Sequence, residues 1–249
     1  MKRLEKKVAL VTGAGSGIGK ATAICLANEG TALTVCDLNE SGLEETVSEL
    51  PTNCKSLECA FDVSDSNACN LAVEKCLERF GRLDILCNVA GVVLCQHLEK
   101  ISDADWQRLL DINLSGVFFM CRAAMPSLIK SKGCIINMAS SAGREGQAYN
   151  SAYCATKAGV IMLSKSLALE FAANNVRVNA ICPGMVDTPL TQNFTFPEKA
   201  DAQLLSRLSP LLEGAKPEEI GALVVYLASP EARFITGADL PIDGGQTSG

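Results

Sequence analysis

Tyr153 and Lys157 stand four residues apart in the stretch SAYCATK, which begins at Ser151. On a helix, positions i and i+4 share one face, so a phenol and an ammonium would reach toward the same point. An ordinary solvated helix face could carry the same two residues. The chemical alternative is proton transfer. A free tyrosine, with a pKa of about 10, is a poor base at neutral pH, and bringing it to about 7 takes roughly 4 kcal/mol. One cation about 4 Å away supplies energy of that order at an effective dielectric near 20. Ser140, thirteen residues before Tyr153, and Ser141 close an apolar run. Two serines after a strand are a turn signal by themselves. Beside a Tyr–Lys pair, a hydroxyl there can bind a carbonyl oxygen.

A second cluster lies near the N-terminus, where TGAGSGIGK follows the apolar run KVALVT. Gly13, Gly17 and Gly19 suit a turn too tight for a Cβ and a bare backbone that a diphosphate can approach. Ser16 and Ile18 complete the loop, and a helix opening here presents unpaired N–H groups and a partial positive charge. Asp37 comes eighteen residues after Gly19. Its carboxylate could accept hydrogen bonds from an adenosine ribose and repel a 2′-phosphate, or it could simply cap the next helix. In FDVSD, Asp62 is placed to reach an adenine edge with Val63 on the ring, and Asp65 reads as a helix cap.

The elements that must position these residues alternate. Short apolar runs at 7–12, 31–36, 56–62, 83–88, 133–140 and 176–182 read as buried strands. Between them lie helical patterns, such as Ile18 to Glu29, and Ala68 to Phe80 with Leu71, Val73 and Leu77 facing inward. Strand–helix alternation predicts an α/β fold: one doubly wound, Rossmann-type parallel sheet with helices on both faces. Ligands on such sheets bind at the carboxyl ends of the strands. No low-complexity linker divides the chain, so 1–249 reads as one domain. Residues 188–216 break the alternation with Pro189, Pro197 and Pro210, and predict a small helical lid outside the sheet.

Together these motifs resemble the short-chain dehydrogenase/reductase family across essentially the whole chain. The family's T-G-x-x-x-G-x-G resembles Thr12 to Gly19, and its N-N-A-G resembles Asn88 to Gly91, with Val89 in the second place. Its catalytic Asn, Ser and Y-x-x-x-K resemble Asn113, Ser140 and Tyr153–Lys157. Its P-G and D-G-G resemble Pro183–Gly184 and Asp243 to Gly245. The family has about seven strands. The resemblance implies that Tyr153 is the general acid/base and that Lys157 lowers its pKa and holds the nicotinamide ribose. It further implies that Ser140 orients the substrate oxygen and that Asn113 holds a water linking Lys157 to solvent. Thr188 and the backbone near Val186 would bind the nicotinamide carboxamide, and Asn88, Ala90, Gly91, Pro183 and Gly184 would border the cofactor, NAD. It also implies pairing of the helices Ala104 to Lys130 and Ser151 to Ala173 across two-fold axes in a homotetramer, through apolar residues such as Val160, Leu163, Leu167 and Phe171.

A substrate pocket is expected around Ser140, Ser141, Ala142, Gln147, Asn150, Met185 and Leu190, near Val93 and Leu94. Its mostly apolar, uncharged lining suits a neutral secondary alcohol or ketone unless Arg144 points inward. Two alternatives stay open: an NADPH-dependent 3-oxoacyl-thioester reductase of the same fold, and a non-catalytic NAD-binding regulator. The first would want a base near a 2′-phosphate, where Asp37 stands.

The 249 residues carry a formal net charge of −6 and a sequence pI near 5.0, which argues against nucleic acid as a partner. The basic start MKRLEKK precedes only VALV before Gly13, too short for a signal core, and no apolar run looks membrane-spanning, so a cytoplasmic protein is expected. Twelve cysteines without a C-x-x-C pair read as small core hydrophobes, and one histidine, His97, cannot build a metal site alone. His97 reads as a loop or pocket-rim residue.

Overall fold

In the computed structural model, residues 2–248 are described. Seven strands form one sheet: β1 (Val8–Thr12), β2 (Ala32–Asp37), β3 (Ser56–Ala60), β4 (Ile85–Asn88), β5 (Cys134–Met138), β6 (Arg177–Pro183) and β7 (Asp239–Ile242). All pairings are parallel, in the order β3-β2-β1-β4-β5-β6-β7. The order reverses between β1 and β4, which opens a crevice at their carboxyl ends. The central strands are buried on both faces because both faces are covered, hence their mostly apolar runs, with Thr12 and Asn137 as buried polar exceptions.

One face is covered by α1 (Gly17–Asn28) and α9 (Pro217–Ala228), which approach so closely that a Cβ on Gly221 would lie 2.8 Å from Cys25 Sγ. After α2 (Glu40–Ser48), α3 (Ser66–Phe80), α5 (Gly116–Ser131) and α6 (Ser151–Phe171) cover the other face. The α3 register corrects one expectation. Val73 is buried and Leu77 packs on the core, but Leu71 is 54% exposed, on the flank of the helix.

A helical run from Asp103 to Ser131 joins α4 (Asp103–Leu110) to α5 through a π-helical turn at Asp111–Ser115. Contrary to the sequence expectation, this run is long and apolar enough, by length and composition, to cross a membrane. Core packing of Met120, Cys121, Ala124 and Leu128 accounts for much of that hydropathy. Of the twelve cysteines, all free, nine are buried and three are partly exposed, as core-filling thiols should be.

Residues 188–216 leave the sheet. They hold two short helices, α7 (Pro189–Gln192) and α8 (Ala202–Ser206), and return through a bridge between Val186 and Ala215. Asp243 closes the chain by accepting from Gly245 and Thr247 N–H, and it packs on Gly184, where a Cβ would meet Asp243 Cα at 2.8 Å.

Candidate active site

The crevice at the carboxyl ends of β1, β4 and β5 is a cleft of about 380 Å³. Its floor begins at the glycine turn. Gly13 has φ of +68° and Gly17 of +50°, both left-handed, and a Cβ on Gly19 would lie 1.9 Å from Gly13 O. Only glycine lets α1 start this close to β1. The first N–H groups of α1 have no helical acceptor, and no acidic side chain occupies its first turn, so an anion is favoured there.

Asp37, at the end of β2, accepts from Gly15 N–H at 2.9 Å through one oxygen and from Asn39 N–H at 2.9 Å through the other. The helix cap is Asn39, not Asp37. The carboxylate borders the cleft. On α1, Lys20 is held by Glu45 and Glu49, at 2.6 and 2.8 Å. Asp62 and Val63 also line the cleft, while Asp65 caps α3. Thr12 Oγ1 accepts from the N–H groups of Val89 and Ala90, at 3.1 and 3.3 Å, which supports the loop where Val89 stands. These bare-backbone contours and hydrogen-bonding groups fit a dinucleotide.

Ser140 reaches the cleft because Gly143 brings the end of β5 against α6: a Cβ there would lie 2.7 Å from Lys157 C. Ser140 Oγ accepts from Ala142 N–H at 3.1 Å and so holds its own turn. Tyr153 and Lys157 enter from the first turns of α6. Burial pushes the Tyr153 phenol up to about 12, against the opposite pull of the adjacent Ser140 hydroxyl. Burial pushes the Lys157 ammonium down to about 8; the side chain donates to Met138 O at 2.8 Å.

Asn113 is fully buried in the π-helical turn. Its Oδ1 accepts from Val92 N–H and its Nδ2 donates to Val92 O, each at 2.8 Å. Its Oδ1 and Lys157 Nζ flank Gly91, where a Cβ would lie 3.2 and 3.4 Å from them. Thus Asn113 sits behind the cleft wall, and its neighbour Ile112 lines it.

Ser16, Ile18, Ala90, Gly91, Pro183, Gly184, Val186 and Thr188 all border the cleft. Asn88 does not. It is buried in the sheet and donates to Asn137 Oδ1 at 2.8 Å, because a strand residue facing the helices cannot also face the strand ends. The expected substrate pocket is also narrower. Ser140 and Leu190 line the cleft, but Ser141, Ala142 and Asn150 are buried in the turns that carry α6, Gln147 donates to Ser141, and Met185 lies near Gly214. Arg144 pairs with Asp239 rather than pointing inward. Val93, Leu94, Leu190 and Phe194 instead enclose an adjoining hollow of about 450 Å³.

Sequence reasoning missed Leu38, Phe61, Arg108 and Ile112 in the cleft wall. The i, i+4 spacing of Arg108 and Ile112, just before Asn113, was the available signal.

A twisted parallel sheet with a dinucleotide crevice and a Ser–Tyr–Lys constellation defines a Rossmann-type oxidoreductase. Residues 13–247 match the family model described as enoyl-(acyl carrier protein) reductase. The chain belongs to the short-chain dehydrogenase/reductase family. It is 43% identical over 247 residues to D-threitol dehydrogenase of Mycolicibacterium smegmatis, covering 98% of this chain and 94% of that one. It is 40% identical over 247 residues to 3-oxoacyl-[acyl-carrier-protein] reductase FabG of Thermotoga maritima, covering 98% of each. Among solved structures, a short chain dehydrogenase from Mycobacterium paratuberculosis bound to NAD has a TM-score of 0.93 and 31% identity, covering 99% of this chain and 100% of that one. The chain is therefore an oxidoreductase of a family that acts on alcohols through a nicotinamide cofactor.

Proposed function

We propose that the chain is an NAD(H)-dependent enzyme interconverting a neutral secondary alcohol and its ketone, with Tyr153 as general acid/base. One arrangement carries this reading: Ser140, Tyr153 and Lys157 line the same cleft as the glycine turn and Asp37.

The glycine turn and the N-terminus of α1 would hold the diphosphate, Asp37 the adenosine ribose, and Thr188 with the Val186 backbone the nicotinamide end. When bound, the nicotinamide supplies the two-electron exchange. Ser140 orients the substrate oxygen. Tyr153 takes the hydroxyl proton in oxidation and returns it in reduction. The Lys157 charge, 5.6 Å from the centre of the Tyr153 ring, works against the burial that raises the phenol, and the ammonium would bind the ribose hydroxyls. Asn113 holds Val92 in place and, through its second Oδ1 lone pair, can support a water leading from Lys157 to solvent.

NAD is favoured over NADP by Asp37, whose oxygens are fixed by two backbone N–H groups. The hollow at Val93, Leu94, Leu190 and Phe194 suits an uncharged substrate. A second reading, an NADPH-dependent 3-oxoacyl-thioester reductase, draws on the likeness to the Thermotoga protein and on Arg108 in the cleft wall. The test is initial rates with a panel of neutral secondary alcohols and with a 3-oxoacyl thioester, using each cofactor. Alcohol oxidation favouring NAD⁺ is expected; thioester reduction favouring NADPH would establish the second reading instead.

For assembly we propose a homotetramer built through α4–α5 and α6, which expose Phe118, Met162 and Leu169. For compartment we propose the cytoplasm, where twelve free thiols would stay reduced.

A further inference from the structure

Among the described residues, two hydrogen bonds join residues 195–209 to the rest of the chain. His97 Nε2 donates to Glu198 O at 2.8 Å, and Asp201 N–H donates to Tyr149 Oη at 2.9 Å. The other hydrogen bonds of this segment close within it, through the turn at Pro197–Ala200 and through α8. The segment is anchored beyond its two ends, by Thr188 and Thr191 on Val186, and by Leu211 N–H on Gly244 O. Its middle rests on two aromatic side chains.

Those side chains act as a unit. The His97 and Tyr149 rings meet edge to face with centroids 5.0 Å apart. The carbonyl of Tyr149 accepts from Gln96 N–H at 2.7 Å, tying the loop before α4 to the loop before α6. Tyr149 has φ of +66°, the left-handed region that favours glycine. An aromatic residue holds that conformation only where its surroundings over-determine it. Here the ring stack, the Gln96 bond and the Asp201 bond do so. Tyr149 directly precedes Asn150, the N-cap of α6, and stands four residues before Tyr153.

We propose that His97 and Tyr149 form a clasp that holds residues 195–209 across the mouth of the substrate hollow, and that Tyr149 is a positioning residue coupling this lid to the start of the catalytic helix. Both bonds go to lid backbone, so the clasp does not depend on lid side chains. Phe194 and Thr195, at the hollow's wall, lead directly into the clasped segment. Opening the clasp would admit substrate and release product; closing it would confine substrate near Ser140 and Tyr153. This role rests on the proposed alcohol oxidoreductase activity, whereas the clasp itself does not.

Tyr149→Phe keeps the ring and its stack on His97 and deletes the acceptor for Asp201 N–H. His97→Phe keeps an aromatic ring and deletes the donor to Glu198. Hydrogen exchange of the full-length, cofactor-free protein, read on peptides covering 195–209, should quicken at least fivefold in each variant, with the global urea midpoint unchanged. The substrate KM should rise at least threefold in Tyr149→Phe, with the single-turnover rate at saturating alcohol within twofold of wild type. Wild-type exchange in both variants overturns the clasp. Quickened exchange with an unchanged KM in Tyr149→Phe overturns its positioning role. A wild type that oxidises no alcohol overturns the functional reading, and the exchange rates alone then decide whether the clasp exists.

Discussion

The Lys157 ammonium lies 5.6 Å from the centre of the Tyr153 ring and donates its hydrogen bond to Met138 O, 2.8 Å away, not to the phenol. The four-residue spacing placed the two groups on one face, but burial acts on each more strongly than they act on each other. In the free protein the phenol is pushed up to about 12 and the ammonium down to about 8. We expect ultraviolet difference titration, with Tyr153→Phe as the blank, to show Tyr153 ionising above the ordinary tyrosine range without cofactor. With NAD⁺ bound it should ionise at lower pH, because a positive ring then adds to the field. Coincident titrations would remove the cofactor from the tuning of this base.

Lys157 also makes stability depend on pH. A lysine depressed from about 10.5 to about 8 is penalised while charged in the folded state. Between those values the unfolded chain binds more protons, so stability rises with pH, by about 3 kcal/mol at most. Urea midpoints of wild type should therefore gain on those of Lys157→Met between about pH 8 and 10.5. Parallel profiles would mean that the folded lysine titrates normally.

Tyr153→Phe keeps the ring and removes the proton-transferring oxygen. Folding and NAD⁺ binding should survive, since the glycine turn and Asp37 lie at the other end of the cleft. Turnover should fall by at least roughly 10²–10⁴-fold. Steady-state rates within tenfold of wild type would place the chemistry elsewhere.

Asp37→Ser should narrow the preference for NAD⁺ over NADP⁺, measured as the ratio of kcat/KM values. It should also weaken NAD⁺ binding, because Gly15 and Asn39 each lose an acceptor and the diphosphate turn loosens. Equal use of both cofactors by the wild type would contradict the role given to Asp37.

Leu169 is 83% exposed and Met162 63% exposed on α6, whereas Val160, expected from the sequence at an interface, is wholly buried in the core. Light scattering at micromolar concentration should report a tetramer, and Leu169→Glu with Met162→Glu should shift it toward smaller species. A stable wild-type monomer would refute the assembly.

Local pattern alone determined much of this protein. Apolar runs marked six strands, because strands buried on both faces have no polar side to show. The glycine turn was readable because only glycine tolerates its φ values and contacts. β7 was anticipated only through the family's strand count: at the sheet edge three of its four residues are partly exposed and Pro241 is exposed, so it shows little pattern. Apolar spacing does not separate the flank of a helix from its buried stripe: Leu71 is exposed where the spacing predicts burial, and Val160 packs in the core of its own chain rather than on another subunit. Tertiary structure alone decided what each polar group does. Asn88 turned to Asn137 within the sheet, Arg144 to Asp239, and Asn113 to the backbone of Val92. It also joined His97 and Tyr149, fifty-two residues apart in sequence, through two loops whose meeting no local spacing encodes. Spacing along the chain fixes which face a side chain shares with its neighbours. Distance, burial and pKa depend on elements packed from remote parts of the chain, and those exist only once the sheet has formed.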